Sequence, residues 1–118
     1  MEKKDLKPAG VFKYFEEFCQ VTRPSKKEEK MIAYLKAFGA KHNLETKVDE
    51  AGNVLIKKPA TPGKENLQTV VLQSHIDMVC EKNNDVQHDF LTDPIETEID
   101  GEWLKAKGTT LGADNGIG

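Results

Sequence analysis

The sequence predicts an α/β domain with a mixed sheet, and three features of its apolar pattern carry that reading. The spacing is helical up to about residue 43 and alternating from Leu44 onward. Val70, Val71 and Leu72 form a consecutive apolar run, as expected of a strand covered on both faces. Two alternating stretches with Gly-containing turns flank that run and predict hairpins.

The elements follow in order. Between Pro8 and Thr22, Val11, Phe12, Phe15, Phe18 and Cys19 line one face of a helix, and the phenylalanines read as core. "TRPS" breaks this helix, and Ser25 with Glu28 three residues later has the pattern of a capping box for a second one. Met31, Ile32, Leu35 and Phe38 form that helix's inward stripe, which ends between Gly39 and Asn43. "LETKVDEAGNVLIKKP" predicts a hairpin turning over Glu50 to Asn53, and "ATPGKEN" a surface loop. After the central strand, "CEKNNDVQHDFLTDP" reads as loop and "IETEIDGEWLKAKG" as a second hairpin turning at Asp100-Gly101.

Composition narrows the function classes. The 118 residues suit one small domain, and 37% hydrophobic with 31% charged residues is a soluble balance. The 17 basic residues are scattered among 20 acidic ones, giving a net charge of −3, so no basic stripe points to nucleic acid. No apolar run reaches the length of a membrane span, and "MEKKDLKPAG" is not a secretory signal, so the expectation is a cytoplasmic protein. Cys19 and Cys80 lack metal-type spacing and read as free thiols. No GxGxxG or GxxxxGK[ST] follows the central strand, which removes the main support for a nucleotide fold.

Chemistry concentrates at that strand's end. In "VVLQSHIDMVC", His75 and Asp77 are two residues apart, so in an extended segment both side chains point to one side. A neutral imidazole can ligate a metal while a carboxylate holds its other ring nitrogen. The same pair could serve as a metal-free proton relay, and His-x-Asp by itself commonly marks a solvated loop. Asp114, in the glycine-rich "GTTLGADNGIG", adds a carboxylate able to bridge two cations. His42 closes a helix and His88 lies in a polar loop, and both read as structural or solvated.

"LQSHIDMVCEKN" followed by "GTTLGADNGIG" resembles the dinuclear zinc exopeptidases related to carboxypeptidase G and peptidase T. Within them the match is to the aminoacyl-histidine (Xaa-His, carnosine-splitting) dipeptidase branch, whose opening is similar to residues 11–61, including the Arg-Pro-Ser between helices. The resemblance implies a three-layer αβα catalytic domain, of which residues 1–118 are the amino-terminal portion, with the rest of that domain and a lid domain beyond. It implies that His75 ligates one zinc, Asp77 steadies that imidazole as a catalytic-site residue, and Asp114 bridges both ions. It also makes the Asp114–Asn115 peptide a candidate cis bond. Two zinc ions are the implied cofactors, with cobalt or manganese as alternatives, and a dipeptide such as β-alanyl-histidine is the implied substrate. The family's general-base Glu and remaining ligands have no counterpart among these residues. The expectation is therefore an inactive fragment, metal-poor and prone to self-association, of an active dipeptidase. The alternatives are a tripeptidase or aminoacylase of the same family, or a non-catalytic binding module.

Overall fold

A computed structural model describes residues 1–118. A short 3-10 turn, Lys3–Asp5, leads into helix α1, Ala9–Cys19, and then helix α2, Glu29–Lys41. The predicted apolar stripes bury only in part. Phe18, Cys19 and Met31 are buried and Phe15 and Leu35 flank them, but Val11 is 61% exposed. Around Met31, the core gathers Met78 and Ile95 from the later chain. Lys3 reaches Glu16 and Thr97 at 2.9 and 3.0 Å, joining the first turn, α1 and the second hairpin.

Both hairpins form. β1, Glu45–Val48, pairs antiparallel with β2, Val54–Lys57, and Gly52 in their turn has φ +90°. Asp49 organises that turn: its two carboxylate oxygens accept from the Asn53 backbone N–H and side-chain amide, both at 2.8 Å. β3, Thr97–Asp100, pairs with β4, Trp103–Ala106, across Gly101 at φ +61°. Gly39 packs against Thr46, seating β1 on α2 with no room for a side chain between them.

The α/β class stands, with helices and antiparallel strands. The central strand does not form. No backbone group from Gln68 to His75 hydrogen-bonds to another part of the chain, and Val70, Val71 and Leu72 are 79%, 77% and 93% exposed. A strand exists only through its neighbours, and neither hairpin lies beside this run. The two sheets are accordingly separate and antiparallel, and no mixed sheet is assembled within the 118 residues. The sole parallel contact is a bridge between Pro24 and Met78.

The capping box is likewise replaced. Helix α2 has Glu28 as its N-cap residue, and Ser25 sends its hydroxyl to Asp77 instead. Glu28 accepts from the Lys26 N–H at 2.8 Å, in a turn where Lys26 takes φ +69°. The serine thus serves a residue 52 positions away rather than the helix beside it.

Candidate functional site

Residues 75–78 are held where the preceding run is not. Met78 N–H donates to the Arg23 carbonyl at 3.0 Å, and Met78 itself is buried. From this anchored stretch the alternation of extended chain turns His75 and Asp77 toward each other. Nδ1 of His75 lies 3.0 Å from Oδ1 of Asp77 and 3.0 Å from the Asp77 carbonyl oxygen. The other carboxylate oxygen accepts the Ser25 hydroxyl. That hydroxyl above all holds the Asp77 carboxyl below the usual carboxylate range; burial opposes it, and His75 adds a lesser lowering.

The glycine-rich tail comes to the same place. The Asn115 N–H donates to Nε2 of His75 at 3.1 Å, and a Cβ on Gly118 would sit 3.2 Å from the Ser74 Cβ. The peptide joining Asp114 to Asn115 is cis. His75 and the Asp114 loop, 39 positions apart in sequence, are thus neighbours through the residue that follows Asp114. The Asp114 carboxylate is exposed and accepts no hydrogen bond.

These contacts select one tautomer of the neutral imidazole. An N–H can only donate, so Nε2 facing the Asn115 amide is the acceptor, and the ring proton is on Nδ1 facing Asp77. A lone pair on Nε2 backed by a carboxylate on Nδ1 is the form of histidine that binds a metal. By donor type His75 suits the metal that the resemblance implies, and the Asp114 loop approaches it through the Asn115 N–H. No group of three or more His, Cys, Asp or Glu side chains converges anywhere in the chain, short of the four ligands of a closed zinc site.

Other candidates resolve as structural. His42 caps α2 and packs on Phe38 with ring centroids 4.4 Å apart. His88 packs edge-on against Phe90 at 4.5 Å with Nε2 buried and unpartnered, so it is a packed residue rather than a solvated one. Cys19 and Cys80 are free, and burial pushes the Cys19 thiol up to about 11. An apolar groove of about 360 Å³ between α1, α2 and Ile117 contains none of His75, Asp77 and Asp114. Ser25, which holds Asp77, was not among the residues the sequence pattern pointed to for chemistry.

No protein-family model matches the chain. It is 50% identical over 117 residues to a cytosol non-specific dipeptidase of Escherichia coli (strain K12), covering 99% of this chain. Its fold superposes with a TM-score of 0.93 and 52% identity on the crystal structure of an aminoacylhistidine dipeptidase from Vibrio alginolyticus. Over its own length the chain is dipeptidase-like in sequence and in fold. It spans 24% of the length of each of these relatives. Identity near one half across 99% of the chain, with the fold matched over the same extent, bears out the dipeptidase resemblance read from the two motifs.

Proposed function

We propose that residues 1–118 are the amino-terminal portion of the catalytic domain of a cytoplasmic, metal-dependent dipeptidase. In this reading the protein cleaves Xaa-His dipeptides such as β-alanyl-histidine. The observation that carries the reading is the doubly held imidazole. His75 presents a lone pair at Nε2 beside the Asp114 loop, while Asp77 fixes the proton on the other nitrogen. His75 and Asp114 would hold metal, two zinc ions with cobalt or manganese as alternatives. When bound, such a pair supplies an activated water and polarises the scissile carbonyl. Asp77 orients His75 and keeps its ring proton away from the metal-facing nitrogen. Nε2 has one lone pair, and the Asn115 N–H donates to it. The name of the cytosol relative supports the location.

Two donors without a general base leave the 118 residues inactive by themselves. The decisive assay uses a polypeptide of the relatives' length on β-alanyl-histidine, a tripeptide and an acylated amino acid. Hydrolysis of the first with loss of at least a hundredfold in His75→Ala is expected. Preference for the tripeptide or the acylated substrate would move the function to a tripeptidase or aminoacylase. Full activity of His75→Ala would remove His75 from the metal reading, and no hydrolysis of any of the three substrates would leave a binding module.

A second proposal concerns the 118-residue chain as a molecule: it associates with itself through the unpaired run at Val70 to Leu72. Bare backbone and exposed apolar side chains in one stretch form a template for strand pairing.

A further inference from the structure

The proposed function does not use Arg23, although it is among the most buried residues of the chain at 2% exposure. A guanidinium out of water is ordinarily matched to a carboxylate, yet none of the ion pairs involves Arg23. Its partners are carbonyls. Nη1 donates to the Ile76 and Asp77 oxygens at 3.3 and 3.1 Å, and Nη2 donates to the Gly112 oxygen at 2.8 Å. Phe18 covers the guanidinium at 5.1 Å from the ring centroid. The two arms of one planar group therefore grip two separate segments, one carrying His75 and Asp77, the other leading to Asp114 and Asn115. Two positions on, Ser25 donates to the Asp77 oxygen that His75 leaves free. The Arg23 carbonyl accepts from Met78, locking the connector itself to the segment that carries His75 and Asp77.

We infer that Arg23-Pro24-Ser25 is a positioning clamp that sets the spacing and orientation of His75, Asp77 and the Asp114 loop. The inference deepens the proposed metal site and rests on that reading for its purpose, though not for its geometry. A lysine could not replace the arginine, because a single ammonium has no rigid fork to span both segments. A serine hydroxyl on Asp77 fixes the carboxylate rotamer, and through it the imidazole. The clamp touches no substrate or metal donor atom directly, so its residues act through His75 and the loop.

The test is made on the 118-residue chain by NMR at fixed neutral pH without metal. In the unaltered chain, long-range ¹H–¹⁵N correlations are expected to show His75 as one tautomer, protonated on Nδ1. Ser25→Ala should mix the tautomers, and Ser25→Thr should restore the single form. Arg23→Lys should speed amide exchange at Asn115 on the order of tenfold, the effect of losing a hydrogen bond that holds the loop. Should Arg23→Lys unfold the chain, the serine pair still decides, since Ser25 is exposed and outside the core. A single Nδ1-protonated form persisting in Ser25→Ala overturns the clamp, and so does an Asn115 amide unaffected in folded Arg23→Lys. These readouts need no metal and no activity, so the clamp can fail while the dipeptidase reading survives, and the reverse.

Discussion

Gly112 shows how closely the site is drawn together. It takes φ +78°, and a Cβ there would lie 2.6 Å from Arg23 Nη2 and 3.1 Å from Met78 Sδ. Gly112→Ala should therefore destabilise the chain by roughly 1–3 kcal/mol through the positive φ alone, read as a lowered urea midpoint with unchanged slope. An unshifted midpoint would mean that Gly112 does not hold its positive φ in solution. At this scale the sequence made His75, Asp77 and Asp114 legible for a simple reason: alternation places residues two apart on one side, and glycines flank the carboxylate. Ser25 was misread because the capping-box pattern is local, whereas the hydroxyl's actual partner is brought in by tertiary structure. Arg23 entered only as part of the Arg-Pro-Ser resemblance, since nothing in a one-dimensional pattern marks an arginine as buried on carbonyls.

Among the elements, the two helices and two hairpins were readable because each is specified within its own residues. The β1–β2 turn adds a detail that periodicity does not show, the Asp49 carboxylate that ties both ends of the loop to Asn53. The Asn53 side chain first, and its backbone N–H second, hold the Asp49 carboxyl below its ordinary value. A carboxylate whose folded pKa is depressed adds stability above its unfolded value and loses that contribution as pH falls through the folded one. The Asn53 amide resonance should accordingly titrate below the normal aspartate range, near 3.9 in model peptides. Asp49→Ala should abolish that titration while α1 and α2 persist by circular dichroism. A midpoint at or above the ordinary value would show the turn to be unoccupied in solution. The run at Val70 to Leu72 failed as a strand for the opposite reason: its pattern specifies burial on two faces, but the partners are not supplied by either hairpin.

The whole molecule is more open than its length predicts. Its radius of gyration is 16.4 Å, against about 13.5 Å for a compact domain of this size. Its accessible surface is 9040 Å², against about 6,400 Å² from the usual mass scaling. The difference exceeds the roughly 800 Å² per partner buried in a standard protein interface. Pairing of Gln68 to Gln73 between copies uses a stretch with no Asp, Glu, Lys or Arg from Asn66 to Ile76. Sedimentation should show mass rising with concentration, and Val71→Lys should remove that rise. Leu55→Lys, at a site 59% exposed on β2, should leave it intact. A monomer at hundreds of micromolar, or a dimer indifferent to Val71→Lys, would contradict the association.

The central claim is that His75 and the Asp114 loop face one cation position even within these 118 residues. Paramagnetic manganese added in small steps tests it without requiring tight binding, because nearby nuclei broaden at low occupancy. The account predicts that the His75 ring and the Asp114 and Asn115 signals broaden first and together, ahead of His42 and His88. Broadening that begins elsewhere, or that reaches His75 without the Asp114 loop, would contradict it.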